Sequence, residues 1–369
     1  MDILWQTFCN IGRNLRRYGL NYCDFDTMLD NVTVLLRSVT VTIDNKEHVC
    51  MDTSVNNLFI LFNRKQIREV VLKYRNCNSN VPRWSRLSNN IQKNMKSVKL
   101  RAIFIWLLLQ INAFVYLVLP LFLPGRHFPE DRLIFYGLDP MTESPNYEIA
   151  YLIYFLVIPQ CTNCLATCTA LVIFLYGYTE AQLLSLTEEL YNIWSDAENF
   201  YEDNIYNTMN LGNESKQYLL NTFVKSRLMY VIKLHNENIA AIKLLEKVLS
   251  VSMATEFLVL FAGLVAELLG GVKNTFLEIP FTFCQLFINC FLGQKLMDAS
   301  EQFSKAVYGC GWENFDVSNR KSVLIMLQNS QKTLTLSAGG VATLSFECLM
   351  SIVKCSYSFY TTLQSTFNY

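Results

Sequence analysis

The chain has 369 residues, of which 51% are hydrophobic and 13% aromatic, and its mean hydropathy is +0.21. A soluble protein of this length usually forms two domains of more polar composition. The 31 basic residues balance the 31 acidic ones, so no net charge attracts nucleic acid. These values favour a membrane protein and argue against a basic nucleic-acid-binding protein.

The first hundred residues (1–100) hold no clear membrane span. Their best apolar pieces are "NVTVLLRSVTVTI" (31–43), which Arg37 interrupts, and "SVNNLFILF" (54–62), which is too short. A spanning helix needs about 20 predominantly apolar residues. The sequence therefore predicts a degenerate N-terminal region.

Five longer apolar runs follow. The runs are 102–123, 149–175, 249–272, 275–297 and 337–364. The first two lie in a region 101–175, the next two in a region 248–297, and the last in a region 337–365. Each run is long enough to cross a bilayer. Pro159 is expected to kink the second run. A soluble helical bundle contains one such run by chance, but hardly five, so the pattern predicts a multi-pass membrane protein.

Two further regions, 176–247 and 298–336, are predicted to be helical and cytoplasmic. Their apolar residues recur at three- and four-residue spacing, which is typical of amphipathic helices. A polar break is expected at "NLGNES" (210–215), and another helix over 318–335. The pair Gly339-Gly340 is expected to form a hinge before the last span.

The orientation follows from the basic residues near the ends of the spans, because these favour the cytoplasmic side. Four of them precede the first long run: Lys93, Lys96, Lys99 and Arg101. The loop 124–148 has two basic and five acidic residues and no cysteine, and is predicted to lie outside. Residue 101 then lies in the cytoplasm, and the C-terminus is predicted to be extracellular. A cysteine-free outer loop also argues against a secreted disulfide framework.

The last run carries a regular stripe of polar residues. They are Glu347, Ser351, Lys354, Ser358, Thr361 and Ser365, spaced 4, 3, 4, 3 and 4, which places them on one helix face. A charged residue at mid-membrane costs about 2.5–3.5 kcal/mol, whereas a Leu or Phe returns only about 0.3–0.6 kcal/mol. The stripe is therefore not expected to face lipid.

Two interpretations of the stripe stay open on spacing alone. One is a polar seam between packed helices, with Glu347 and Lys354 paired across two turns. The other is a water-lined ion path. Because one helix cannot line a pore, the second interpretation requires several subunits around a shared axis.

The C-terminal half resembles the insect odorant receptor family. The resemblance lies in "CFLGQKLMDASEQFSKAVYGCGWENF" (290–315) and in "RKSVLIMLQNSQKTLTLSAGGVATLSFECLMSIVKCSYSFYTTLQ" (320–364). The matching features include Gly293-Gln294, Trp312, Ala338-Gly339-Gly340 and Lys354 with Ser356-Tyr357-Ser358. "SPNYEIAYLIYF" (144–155) and "TEAQLLSLTEEL" (179–190) also match, so the resemblance covers about 95–364.

This resemblance implies an all-α, seven-transmembrane-helix protein with a cytoplasmic N-terminus, whose first two helices are eroded or partly missing here. It implies a subunit of an odorant-gated, nonselective cation channel that senses volatile hydrophobic molecules. The implied partner is the odorant receptor coreceptor, in a heterotetramer. The last helix would line the pore, and the cytoplasmic helices would form an anchor between subunits.

The resemblance also implies an apolar odorant cavity in the outer half of the membrane. Such a site needs an enclosed apolar wall and few polar anchors. The candidate residues are Gln110, Phe114, Leu117, Tyr154, Ile158, Cys161, Phe257, Phe261 and Leu264. For any one of them, ordinary helix packing is the alternative.

The remaining sequence signals predict no enzyme, cofactor or metal. Cys161, Cys164 and Cys168 lack a nearby histidine to complete a zinc site, and no catalytic triad or phosphate-binding loop is present. The intramembrane residues Glu256 and Glu267 are either functional or paired with Lys273 or a neighbouring helix. Two other functions stay open: a gustatory-type receptor channel acting without the coreceptor, and a G-protein-coupled receptor.

Overall fold

The computed structural model describes residues 17–38, 63–82, 84–129, 135–205, 213–271 and 274–367. Over these ranges the chain is an all-α protein with one small β-hairpin. The helices are α1 (Phe25–Ser38), α2 (Arg64–Ser79), α3 (Arg86–Val118), α4 (Asn146–Tyr191), α5 (Ile193–Ile205), α6 (Asn213–Gly270), α7 (Glu278–Tyr308), α8 (Val317–Ser330) and α9 (Phe346–Phe367). Two short 3-10 helices cover Leu119–Phe122 and Trp312–Asn314.

Three of the described helices are long and apolar enough to cross a membrane: α3 with its 3-10 extension, α4 and α6. The 46 residues of α4 and the 58 of α6 correspond to about 70 and 90 Å, more than twice the hydrocarbon thickness of about 30 Å. Both helices therefore continue well beyond any membrane. This confirms that the runs 102–123, 149–175 and 249–272 are helical and that helix continues into 176–247. Pro159 lies inside α4, and the helix is continuous through it.

The last helix begins later than the sequence predicted. Residues 337–343 form a β-hairpin, with β1 (Ser337–Ala338) paired to β2 (Ala342–Thr343), and α9 starts only at Phe346. Gly339 and Gly340 have φ angles of +64° and +72°, so they form the turn of this hairpin instead of a helical hinge. The hairpin docks on α6, since the Gly339 amide donates to the Ser250 carbonyl at 2.9 Å.

The predicted helix at 318–335 is present as α8, which Asp316 caps by accepting from the Asn319 amide at 2.8 Å. The predicted break at "NLGNES" falls between α5 and α6, and residues 206–212 lie outside the described ones. An additional break at Asn192 separates α4 from α5. Neither spacing nor composition indicated this break.

Within the described residues of the N-terminal region, 17–38 and 63–82, there are two helices, α1 and α2. With 14 and 16 residues they measure about 21 and 24 Å, less than the hydrocarbon thickness. Both pack against α4. The ring centroids of Phe25 and Tyr178 lie 4.5 Å apart, and the Tyr74 hydroxyl forms a hydrogen bond of 2.6 Å with Thr179 Oγ1. The two apolar pieces at 39–43 and 54–62 lie outside the described residues.

The helix ends define two ends of the bundle. The end of α3, the start of α4, the end of α6 and the start of α7 meet at one end, which we call the distal end. There Asn112 Nδ2 donates to the Leu277 carbonyl at 3.2 Å, and the buried residues Leu117, Phe128, Ala150 and Tyr154 form a small cluster. The opposite, proximal end carries α2, α5, α8 and the main hydrophobic core.

Candidate ligand cavity and ion-path helix

Helix α9 places the whole predicted stripe on its free side. All six stripe residues are exposed in the single subunit, whereas Leu349 and Ser356 on the opposite side are buried. The helix packs on the bundle also through two partly exposed rings, since the Phe359 and Phe261 ring centroids lie 6.1 Å apart and the Phe346 and Phe287 centroids 6.2 Å apart. The helix is therefore held by one side and presents its polar residues outward.

The stripe hydroxyls are bonded along their own helix. Ser351 donates to the Glu347 carbonyl at 2.9 Å, Thr361 to the Ser358 carbonyl at 2.9 Å and Ser365 to the Thr362 carbonyl at 2.8 Å. Such bonds use the hydroxyl hydrogen and leave oxygen lone pairs directed away from the helix. The exposed face is therefore rich in acceptors.

No ion pair joins Glu347 to Lys354, although both residues are described and exposed. Nor does another described helix of the same subunit cover the stripe, since each of its six residues stays exposed. The described surroundings of α9 therefore do not support a polar seam inside the subunit. An exposed polar stripe needs water or a second chain beside it.

The structure does not bring the nine predicted ligand residues together in one place. The distal cluster contains three of them, Leu117, Tyr154 and Ile158. In it, the ring centroid of Tyr154 lies 5.7 Å from that of Phe128 and 5.1 Å from that of Phe135. Phe257 and Leu264 are buried in the main core, and Phe261 contacts α9. Phe114 and Cys161 are exposed, and the buried Gln110 Nε2 has no hydrogen-bond partner among the described residues.

A cavity of about 730 Å³ lies at the distal end, beside these residues. It is a half-open pocket, bordered by the end of α3, the loop at Phe128-Pro129, the last two turns of α6 and the chain leading into α7. The lining residues are Tyr116, Leu119, Pro120, Leu123, Phe128, Pro129, Gly263, Ala266, Glu267, Gly270, Asn274, Thr275, Phe276, Leu277 and Glu278. None of the nine predicted residues is among them, although Leu117 and Leu264 are each next to one in sequence.

Sequence reasoning missed this cavity because much of its wall is loop. Helical spacing selects residues on helix faces and gives no guidance for Phe128 or Phe276, which precede or follow helices. Glu267 was the one available signal. Its carboxylate accepts a hydrogen bond from the Thr282 hydroxyl of α7, so a neighbouring helix supplies one partner, while Lys273 lies outside the described residues.

A second cavity, of about 300 Å³, lies between α1, α3 and α4 nearer the proximal end. Its wall is almost entirely apolar, with Leu35, Trp106 and Phe174 among its members. Lys99 also lines this cavity. Its ammonium donates hydrogen bonds to the carbonyls of Gly19 and Tyr22, at 2.7 and 2.5 Å. Burial lowers the pKa of Lys99. The sequence analysis did not predict this cavity, because α1, which forms part of its wall, is not predicted from the sequence.

Comparison with sequence families identifies one match over most of the chain. The family described as 7tm Odorant receptor matches residues 31–357. Odorant receptor Or2 of Anopheles gambiae is 24% identical over 273 residues, which cover 70% of this chain and 68% of that one. Putative odorant receptor 85d of Drosophila melanogaster is 27% identical over 122 residues, but this alignment spans only 30% of the relative.

Two further similarities are to an odorant receptor coreceptor and to a solved structure. The odorant receptor coreceptor of Ooceraea biroi is 27% identical over 85 residues, covering 23% of this chain and 18% of the coreceptor. The solved structure of olfactory receptor OR5 from Machilis hrabei superposes with a TM-score of 0.61 at 14% identity, covering 91% of this chain and 97% of that one. The same receptor in complex with eugenol gives a TM-score of 0.60. At this identity the superposition establishes the fold.

Proposed function

Because the chain belongs to the 7tm odorant receptor family, we propose that it is the odorant-binding subunit of a ligand-gated, nonselective cation channel. Its ligands are volatile hydrophobic small molecules. The observation that carries this proposal is helix α9, whose apolar side is packed on the bundle while its polar stripe is left exposed. The family is one of receptors, not of enzymes.

The stripe would line the ion path in an assembled channel. Four copies of a helix around one axis enclose a pore, and hydroxyl and carbonyl oxygens there can replace part of an ion's hydration shell. Ser351, Ser358, Thr361 and Ser365 present such oxygens in every second turn or closer. Glu347, in the first turn of α9, and Lys354, about two turns further along, would add charges to the path.

The proposed partner is the odorant receptor coreceptor, in a heterotetramer. Segments of two ant coreceptors are similar to this chain. The proximal helices α5 and α8, with exposed Val317, Leu324 and Ile325 on α8, would form the anchor that joins subunits. An exposed apolar surface of this kind is typical of a protein interface.

We place the protein in the plasma membrane of olfactory sensory neurons, with the N-terminus and the proximal end cytoplasmic. The C-terminus of α9 would then be extracellular. This orientation rests on the basic residues at the start of α3, including Lys93, Lys96 and Arg101. An antibody tag after Tyr369 should be accessible on intact cells, and a tag before Met1 should not.

The odorant would bind at the distal end, in the cavity of about 730 Å³ or in the aromatic cluster beside it. The size falls within the range of about 300–1,000 Å³ that is usual for small-molecule sites. Binding there would shift α9 through its contact between Phe261 and Phe359, and so dilate the pore.

The test is whole-cell current from cells that express this chain with and without the coreceptor, while a panel of volatile molecules is applied. We expect a cation current that requires both proteins. Silence with normal surface expression would contradict the proposal, and current from this chain alone would favour a gustatory-type channel.

A second measurement tests the pore. Replacing Lys354 by Gln should change the permeability ratio of Ca²⁺ to Na⁺, because a ring of positive charge would be removed from the path. Lys354→Arg keeps the charge and serves as the matched control. Equal ratios in all three channels would remove Lys354 from the ion path.

A further inference from the structure

One face of α7 packs on the first turn of the last helix, α9. Phe287 and Phe291 of α7 both approach Phe346, with ring centroids 6.2 and 6.3 Å from that of Phe346. Further along α7, the Gln294 carboxamide oxygen accepts from the Phe346 amide at 3.4 Å. Residues 287, 291 and 294 share a face of α7, because they are spaced four and three residues apart. This face and the start of α9 form one packed contact, which we call the α7–α9 junction.

Two cysteine thiols meet inside the α7–α9 junction. Cys290 is buried and lies on the same face of α7, one turn after Phe287 and one turn before Gln294. Cys348 lies in the first turn of α9, two residues after Phe346, and is partly exposed. The two thiols form a hydrogen bond with each other. Both cysteines are free, so the junction holds an unlinked pair of thiols between two helices.

The backbones of the two segments also come close together at the junction. A Cβ added at Gly293, one turn after Cys290, would collide with the Leu344 carbonyl oxygen. The Ser345 hydroxyl oxygen accepts from the Cys348 amide at 3.2 Å, which fixes the start of α9. A disulfide requires two Cβ atoms at close range. The close approach of the backbones therefore favours a bond between the two sulfur atoms.

We propose that Cys290 and Cys348 form a reversible disulfide when hydrogen peroxide is present, and that this bond holds α9 on α7 and restricts opening of the channel. Intracellular reductants keep accessible thiols reduced, so the free pair is the resting form. The effect on opening rests on the proposed function of α9 as the pore helix. The modification site itself does not depend on that function.

The reaction begins at Cys348, because its side chain is the more exposed of the two. Its thiolate attacks one oxygen of hydrogen peroxide, the O–O bond breaks, and the sulfur becomes a sulfenic acid. The departing hydroxide takes up the proton that Cys348 lost. The Cys290 sulfur then attacks the Cys348 sulfur, the S–O bond breaks, and the hydroxyl leaves as water with the proton of the Cys290 thiol. Two electrons from the two sulfurs thus reduce one peroxide to two water molecules, and a small thiol reverses the bond by exchange.

The position of the pair connects it with the movement of α9. The helix runs from Phe346 beside α7 to Phe359 beside Phe261 of α6. A disulfide at Cys348 would fix its first turn, which also carries Glu347, the first residue of the polar stripe. A bond that exists in only one arrangement of two helices shifts the population toward that arrangement. The oxidised subunit should therefore favour the arrangement in which α9 stays packed on α7.

The first measurement detects the disulfide itself. Cells that express the full chain with the coreceptor are treated with hydrogen peroxide, and the remaining thiols are then blocked with N-ethylmaleimide in denaturant. Mass spectrometry of the digested protein should find two peptides joined through Cys290 and Cys348, and dithiothreitol should separate them. Without peroxide, both cysteines should carry the maleimide.

The second measurement is whole-cell current from the same cells, evoked by volatile molecules before and after peroxide. We expect peroxide to lower the current at least about twofold, because the closed population grows, and dithiothreitol to restore it. Cys348→Ser should abolish this sensitivity, and Cys290→Ala should do the same through the other partner. Cys355→Ser is the matched control, since Cys355 is an exposed thiol on the same side of α9, seven residues further along.

Every channel in this comparison contains the same coreceptor, so cysteines of the coreceptor affect all variants equally. Surface labelling shows whether each variant reaches the membrane. Cys355→Ser should keep the full sensitivity of the parent to peroxide. A loss of sensitivity in Cys355→Ser equal to that in Cys348→Ser would contradict the proposed pair.

The outcomes separate this inference from the function on which its second part rests. Absence of the joined peptides after peroxide would overturn the disulfide and leave the channel function intact. Joined peptides with an unchanged current, or an equal loss of current in Cys348→Ser and the parent, would overturn the control of opening. Normal surface expression without current to any volatile molecule would overturn the proposed function, whereas the mass measurement decides on the disulfide independently.

Discussion

The two halves of helix α4 differ in which side chains they expose and bury: the distal half exposes large apolar residues, and the proximal half buries polar ones. In its distal half, Leu152, Phe155 and Leu156 are exposed. In its proximal half, the polar residues Ser185 and Glu189 are buried, and Glu189 accepts hydrogen bonds from Arg86. One continuous helix thus exposes apolar side chains at one end and covers polar ones at the other.

The surrounding solvent explains this difference. In hydrocarbon, an exposed Phe costs nothing, and backbone groups are satisfied within the helix itself. In water, the proximal half must cover its apolar surface with other helices, and the polar groups trapped beneath them need specific partners. Exposure alone therefore does not reveal whether a residue is in a favourable place. Whether an exposed side chain is favourable depends on whether hydrocarbon or water surrounds that part of the helix.

The largest expected effect contrasts Phe155 with Tyr191, which are each 53% exposed. Lys at position 155 would enter the hydrocarbon, at a cost of about 2.5–3.5 kcal/mol on insertion scales. Lys at position 191, at the proximal end, would meet water and cost less than about 0.5 kcal/mol. We expect Phe155→Lys, but not Tyr191→Lys, to abolish surface expression, as measured by labelling of intact cells. Equal surface levels would contradict a membrane at the distal half.

The next contrast uses two glycines. A Cβ at Gly293 would lie 2.2 Å from the Leu344 carbonyl oxygen, whereas one at Gly263 meets nothing within 4 Å. Overpacking costs about 1–3 kcal/mol, and relief of a helical glycine returns up to about 1 kcal/mol. We expect Gly293→Ala to lower the melting temperature of the detergent-purified protein and Gly263→Ala to keep or raise it. A stable Gly293→Ala variant would show that the hairpin can move away from α7.

These contrasts also show what the sequence could predict. Long apolar runs identified the helices around 102–123 and 149–175, because a bilayer imposes a minimum length on any span. Periodicity grouped the polar stripe of α9 on one face, and Glu347 and Lys354 are both exposed there. Neither signal reports which loops close a cavity, so Phe128 and Phe276 were missed. The sequence predicts a hinge at Gly339-Gly340, where the structure has the turn of a β-hairpin, because two glycines are compatible with both.

A smaller effect is expected for the ion pairs of the proximal half. Arg86 contacts the buried Glu189 at 2.9 Å and Asp196 at 2.6 Å, whereas Arg75 and Asp26 form a pair at 3.1 Å that is half exposed on both sides. Arg86→Gln leaves Glu189 buried without its cation. The cost should be about 1–2 kcal/mol, below the value for a fully buried pair because Arg86 is itself partly exposed. Arg75→Gln should cost less than about 1 kcal/mol.

Thermal unfolding of both arginine variants in one detergent checks this difference. High salt should narrow the gap only slightly, because the Glu189 side of the network is shielded from solvent. Equal melting temperatures for the two variants would mean that the ion pair to the buried Glu189 contributes no more stability than the exposed pair of Arg75 and Asp26.

The smallest expected effect concerns His235, a buried polar group of the proximal half. Its ring stacks on Phe303 at 4.2 Å, and burial lowers its pKa from 6.5 to about 4. Below about pH 6.5 the imidazole is protonated in the unfolded chain, whereas in the folded protein it stays neutral until about pH 4. The free energy of unfolding therefore falls as the pH drops from 6.5 toward 4. Between pH 7 and pH 6 the loss is about 0.5–1 kcal/mol. Melting temperatures at these two pH values should differ less in His235→Gln than in the parent. An equal difference in both would place the imidazole in contact with water, and the proximal half would then be less tightly covered than its buried polar residues indicate.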